Sequence, residues 1–172
     1  MDASADHHVV LEGIRHLVRE LRVSSRASER EHGLSGAQLF VLQQLARSPV
    51  ESLNELAERT LTHQSSVSVV VSRLVAAGLV SRDASIDDGR RVTIALTPSG
   101  RAIARRAPEA AQGRLIAGLR QLSQRELGGL ARGIGALVQG MDGNQSENGR
   151  HARAHDGTRA RPRLGGRGRV TS

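Results

Sequence analysis

Cysteine, lysine, tryptophan and tyrosine are all absent from this 172-residue chain, and Phe40 is its one aromatic residue. Without cysteine there is no disulfide frame, no thiolate nucleophile, no cysteine-based zinc site and no thiol redox switch. With one aromatic ring, the core has to be assembled from Leu, Val, Ile and Ala, which favours small helices packed through aliphatic ridges. No apolar run approaches the roughly 18–20 residues that a membrane span needs. The first residues, Met1-Asp2-Ala3-Ser4-Ala5-Asp6, lack a basic and then hydrophobic leader. The expectation is a cytoplasmic protein with no membrane partner.

What the chain does have is arginine. All 25 of its basic residues are Arg, and the net charge is +8. The planar guanidinium suits phosphate and guanine edges better than an ammonium does, although genomic base composition would equally explain the missing lysine. Residues 143–172 hold seven Arg against Glu147 and Asp156 and carry +5 of that charge, leaving +3 on residues 1–142. Two readings of this tail stand: it raises non-specific affinity for phosphates, or it is an inert solubilising segment. It has no aromatic residue on which bases could stack, which argues against a single-strand or RNA platform.

Hydrophobic periodicity orders the rest. Val10, Ile14, Leu17, Val18 and Leu21 recur at helical spacing, and His32-Gly33 supplies a C-terminal stop. Ser35 with Gln38 forms a capping box, flanked by Leu34 and Leu39 at staple positions, and opens a second helix with Leu39, Leu42, Leu45 and Ala46 facing a core. Ser48-Pro49 ends it. Ser52 and Glu55 repeat the box before a short helix, with Leu53, Leu56 and Ala57 inward, that runs to about Thr60. A fourth segment follows Thr62 and places Val67, Val70, Val71, Leu74 and Val75 on one face.

Gly78 breaks that helix, and Leu79–Arg82 followed by Arg91–Leu96, separated by the turn-rich Asp87-Asp88-Gly89, predicts a β-hairpin. Thr97-Pro98 opens a long helix bearing Ile103, Ala107, Leu115, Leu119 and Leu122, which Pro108 should bend or interrupt. A last helix begins at Ser123 with Glu126 completing a third box, and carries Leu127, Leu130, Ile134, Leu137 and Val138. From about Asp142 the sequence has almost no apolar content and reads as disordered.

The resulting class is mainly α with a small β-hairpin wing, a winged helix-turn-helix. The fourth segment has what a recognition helix requires. One face is apolar enough to hold it rigidly, while Gln64, Ser65, Ser66, Ser68, Val69 and Arg73 present short or basic side chains that let a helix lie close to base edges in the major groove. Between His63 and Arg106 there are seven Arg and three acids, all three in or beside the hairpin turn, so the surface open to phosphate is positive. Asp87 and Asp88 are turn formers rather than an acid–base or metal pair. His7, His8, His16, His32 and His63 do not show metal-ligand spacing. No phosphate-binding glycine loop, nucleophile elbow or dinucleotide fingerprint is present, so neither an enzyme nor a cofactor is expected.

The stretches Ser66-Val67-Ser68, Arg73-Leu74-Val75, Gly78-Leu79-Val80-Ser81-Arg82, Asp88-Gly89-Arg90-Arg91 and Leu96-Thr97-Pro98-Ser99-Gly100 resemble the multiple antibiotic resistance regulator (MarR) family of bacterial transcription factors. Coverage runs from roughly residue 7 to 140. The resemblance implies a homodimer with intertwined terminal helices, two recognition helices in successive major grooves, and a wing-tip arginine at the minor groove. Arg90 takes that wing-tip place, and Asp88 that of the acid which orients a nearby arginine. The family more often has a basic residue where this chain has Gly89 and a small or apolar one where it has Arg91. The resemblance also implies an effector cleft between the dimer helices and the winged region, near the first helix, Ser35–Ala46 and the helix after Pro98.

Four regions follow: a dimerisation helix at 1–33, the winged unit at 34–98, further dimerisation helices at 99–141, and a basic tail at 142–172. The expected activity is sequence-specific binding of double-stranded DNA by a ligand-responsive repressor. The alternative is an architectural protein that coats DNA without sequence preference, which would show salt dependence and no preferred site. No effector-binding residue is assigned.

Overall fold

The computed structural model describes residues 3–84 and 92–155. Its elements run α1 (Ala3–His32), α2 (Gly36–Arg47), α3 (Leu53–Thr60), α4 (Gln64–Ala76), β1 (Val80–Ala84), β2 (Val92–Leu96), α5 (Pro98–Arg106), α6 (Ala111–Gln121) and α7 (Gln124–His155). Two compact units emerge, residues 1–121 and residues 122–172. None of the described helices is long and apolar enough to cross a membrane.

The helix starts lie where side chains can satisfy the first backbone N–H groups, which have no partner inside the helix. At α2 the capping box is complete: Gln38 N–H donates to Ser35 Oγ at 3.3 Å, and Ser35 N–H donates to Gln38 Oε1 at 2.9 Å. At α3 the box is half made. Ser52 Oγ accepts from Glu55 N–H at 3.1 Å, but the Glu55 carboxylate accepts from Glu51 N–H instead of Ser52 N–H. At α7, Glu126 accepts from both the N–H and the hydroxyl of Ser123. Those bonds, the hydroxyl first, hold its carboxyl below the ordinary carboxylate range. Gly33 ends α1 and Gly78 follows α4 with φ of +67° and +69°, a conformation glycine adopts without steric cost.

In the first unit, one core gathers Leu34, Val41, Leu42, Leu45, Val50, Leu56, Val67, Val71, Leu74, Val80, Ile94 and Leu96. It therefore joins α2, α3, α4 and both strands. A smaller cluster joins Leu39, Phe40 and Ala110, so Leu34 and Leu39 pack in different clusters and do not form the expected staple. The strands pair antiparallel from Val80↔Leu96 to Ala84↔Val92. Val50 adds a bridge to Ile94, with bonds of 3.1 and 2.8 Å, that ties the α2–α3 connection to the sheet.

Several sequence expectations are corrected. Ala46 and Val75 are exposed: each lies in the last turn of its helix, where the chain is already leaving the core. The interruption expected at Pro108 is present: the helix after Pro98 is two helices, because Pro108 can neither donate a helical bond nor fit its ring into the preceding turn. The gap is held by Gln43 of α2, whose amide donates to Pro108 O and accepts from Ala110 N–H, both at 2.9 Å. In the second unit α7 continues to His155, past Asp142, where composition alone suggested disorder.

Candidate nucleic-acid interface

The residues that set the position of α4 lie mostly outside it. Arg59, in the last turn of α3, donates to Ser48 O at 2.8 Å and Ser48 Oγ at 3.0 Å, and pairs with Glu55 at 2.6 Å. One guanidinium thus closes the C-terminal end of α2 onto α3. Buried Thr60 donates to Leu56 O at 2.7 Å and shares a 2.8 Å bond with Thr62. Leu61 then turns the chain with φ +53°, and its N–H and that of Thr62 return to the α3 carbonyls of Glu58 and Ala57. A non-glycine residue there is strained. The bonds on either side hold the turn in spite of that.

After this turn α4 begins at Gln64 behind His63, which provides no side-chain cap. Its first N–H groups stay open, and they carry the positive end of the helix dipole. Val67, Val71 and Leu74 are buried, which stabilises the packed helix by roughly 1.5–3 kcal/mol per side chain and fixes its rotation about its own axis. Gln64, Ser65, Ser66, Val69 and Arg73 are consequently brought out to solvent, together with Ser72, while Ser68 is half-buried at the edge of the packed face. This surface combines hydroxyl donors and acceptors with one apolar side chain and one cation, the set that base edges, a thymine methyl and a phosphate can meet.

The hairpin is anchored beside it at one joint. Thr97 Oγ1 donates to Gly78 O at 2.8 Å and accepts from Gly100 N–H at 3.1 Å, while Thr97 N–H donates to Leu79 O. The end of α4, the root of the wing and the start of α5 therefore meet at one hydroxyl. Gly100 is required by the fit, since a Cβ there would lie 2.0 Å from the Leu79 carbonyl oxygen. Asp88, Arg90 and Arg91, the three wing residues singled out in the sequence, lie outside the described residues.

The first unit has a second feature, whose residues the sequence reading left unassigned. An apolar cleft of about 400 Å³ is walled by Phe40 of α2, Val67 and Val70 of α4, and Leu115 and Leu119 of α6. Thr62 and Ser66, from the turn and first part of the α4 segment, also line it. Its walls come from three helices distant in sequence, so no local motif names its residues; the family resemblance implied only a cleft near Ser35–Ala46 and the helix after Pro98.

A profile of the MarR family matches residues 32–91, from the end of α1 to just before β2. An HTH-type transcriptional repressor of Mycobacterium tuberculosis is 34% identical over 119 residues, which span 67% of this chain and 86% of that protein. A repressor of the same description from Mycobacterium bovis gives the same figures. Among solved structures, a MarR family transcriptional regulator from Streptomyces coelicolor, in complex with DNA, matches with a TM-score of 0.56 at 22% identity, over 81% of this chain and 89% of that one. The transcriptional regulator BldR from Sulfolobus solfataricus matches with a TM-score of 0.52 at 24% identity, over 81% and 99%. These two structural matches show a shared winged helix-turn-helix fold.

Proposed function

Because the chain belongs to the MarR family, we propose that it is a transcriptional repressor that binds specific duplex DNA as a homodimer and releases it in response to a small molecule. The observation that carries the DNA reading is the two-sidedness of α4: Val67, Val71 and Leu74 lock it into the core, and the opposite side presents Ser65, Ser66, Val69 and Arg73 to solvent. Gln64 and Ser65 stand at the open, electropositive start of the helix, where a backbone phosphate is favoured. Ser66, Val69 and Arg73 follow along the exposed face and meet base edges, with Ser68 at its margin. The wing then reaches the flanking minor groove through Arg90, with Asp88 orienting the basic side chains at the tip and Arg91 contacting phosphate.

The homodimer reading is supported by two unpartnered apolar stripes. Val10, Ile14, Leu17 and Val18 of α1, and Leu127, Leu130, Ile134, Leu137 and Val138 of α7, are all exposed, and a helix with such a face needs a cover. In a two-fold dimer the two copies of α4 would face DNA half-sites about one helical turn, roughly 34–36 Å, apart. The effector reading is supported by the cleft, which shares Val67, Val70 and Ser66 with α4; a ligand there acts directly on the position of the reading helix. Such a protein works in the cytoplasm, needs no cofactor and performs no catalysis. The basic segment beyond α7 adds affinity without sequence preference.

Selection of bound sequences from random duplexes at physiological salt tests the reading. A recurrent two-fold motif with half-sites one turn apart is the expected result. Binding with steep salt dependence but no enriched motif would replace it with architectural coating of DNA.

A further inference from the structure

Helix α1 has two parts. Residues 4–19 are exposed along their whole length, whereas Glu20, Ser24, Ser25 and Ala27 are half-buried and Ser28 is buried. Among the described residues, neither apolar cluster of the first unit includes a member of α1. Besides the continuity of the chain at Gly33, what fastens α1 is therefore polar. Ser25 Oγ accepts from the N–H of Gly36, the first residue of α2, at 3.0 Å, and donates to Glu29 at 3.0 Å. Ser24 Oγ accepts from the N–H of Ala111, the first residue of α6, at 3.2 Å. Ala110 has no side-chain oxygen, so a neighbouring helix supplies the bond that a capping residue ordinarily gives. Two adjacent hydroxyls of one helix thus hold the starts of two others. The pair between Glu20 and Arg114 at 3.2 Å also joins α1 to α6, but both side chains are about half exposed and such a pair adds little hold.

The direction of this joint matters because α1 is a lever. Residues 4–19 span about 24 Å at about 1.5 Å per residue, and they carry the apolar stripe assigned above to the second copy. A rotation of about 10° at the serines moves the far end of α1 by about 4–5 Å, more than the roughly 3.4 Å rise of one base pair. Apolar contacts tolerate such a rotation by sliding, whereas hydrogen bonds weaken steeply as their angle departs from linear. We propose that Ser24 and Ser25 are positioning residues that set the angle between α1 and the reading head of each protomer, and through it the half-site spacing that the dimer accepts. This rests on the homodimer reading above.

The test uses the selected operator with its two half-sites moved apart or together by one and two base pairs, and a duplex holding a single half-site. Each is titrated by polarisation with the full-length protein and with the double variant Ser24→Ala, Ser25→Ala. Alanine favours a helix interior at least as well as serine, so α1 itself is retained. The native protein should bind its selected spacing at least tenfold more tightly than the altered ones. In the variant that ratio should fall to threefold or less, while single half-site binding stays within twofold of native and sedimentation still shows two chains. An unchanged ratio, whether or not overall affinity falls, would overturn the positioning role, and so would a variant that becomes a single chain, because the serines would then act on assembly. If the variant folds poorly, Ser24→Ala and Ser25→Ala made separately should each lower the ratio, and no change in either overturns the role. A native protein that is a single chain, or that shows no preferred spacing, would overturn the homodimer reading and this inference with it.

Discussion

Helices α4 and α7 carry the same kind of signal and meet different ends. Both place aliphatic side chains at helical spacing, yet Val67, Val71 and Leu74 of α4 are at most 2% exposed, whereas Leu127, Leu130, Ile134, Leu137 and Val138 of α7 are 40–52% exposed. In α4 the covering surface comes from within the first unit, from α2, α3 and β1. An apolar stripe encodes a need for cover without naming the cover. Our reading is that α7 meets that need with a second copy of the chain. Residue by residue, the contrast can be broken.

The largest effect should come from the covered side. Leu74→Ala empties a site with no exposure and should destabilise the first unit by about 2–5 kcal/mol, measured by denaturant unfolding, with no dependence on protein concentration. If the loss instead grew with dilution, the α4 core would be coupled to assembly, and the contrast with α7 would fail.

Ile134→Asp tests the uncovered side. A charge in the α7 stripe should weaken the dimer by about 2–4 kcal/mol while helix content and the core of the first unit are retained. Sedimentation equilibrium across a dilution series reads this as a shift toward one chain. An unchanged dimer would place the interface elsewhere, and α7 would then need another partner.

A smaller effect separates wing cations from those of the C-terminal segment. Arg90→Ala should weaken binding to the selected DNA by about 1.5–3 kcal/mol, and Arg159→Ala by less, since Arg90 falls in the short sequence between the paired strands β1 and β2 and Arg159 beyond the last described helix. Polarisation titrations of both variants on specific and scrambled duplexes give the comparison. Equal losses would mean that the wing acts only as charge.

The smallest effect concerns the start of α7. Glu126 has a lowered pKa because its ionised form accepts two bonds from Ser123. Its contribution is therefore present above the ordinary carboxylate pKa of 4.5 and is lost as pH falls through the lowered value. Glu126→Gln should flatten that part of the stability profile of the second unit and leave the neutral-pH midpoint almost unchanged. A pH profile identical to that of the native protein would show that the cap contributes nothing.

Local chemistry was legible in advance. The caps at Ser35, Ser52 and Ser123, the stop at Gly33, the break at Pro108 and the two strands on either side of residues 85–91 each depend on residues within a few positions of one another. The exposed side of α4 was legible for the same reason, because three buried positions set the rotation of a rigid helix.

Cover and contact between distant residues were decided in tertiary structure. Nothing near Val50 in the sequence announces its bridge to Ile94, and nothing near Gln43 announces its hold on Pro108 and Ala110. The close approach of Gly100 to Leu79 O, the exposure of Val75 and the cleft shared by α2, α4 and α6 likewise required the fold. The sequence by itself determined where each helix starts, stops and turns an apolar face, because capping bonds and helical periodicity act over one or two turns. Which face is covered, and what space is left between the helices, was decided only by packing, since those quantities depend on side chains that the fold brings together from far along the chain.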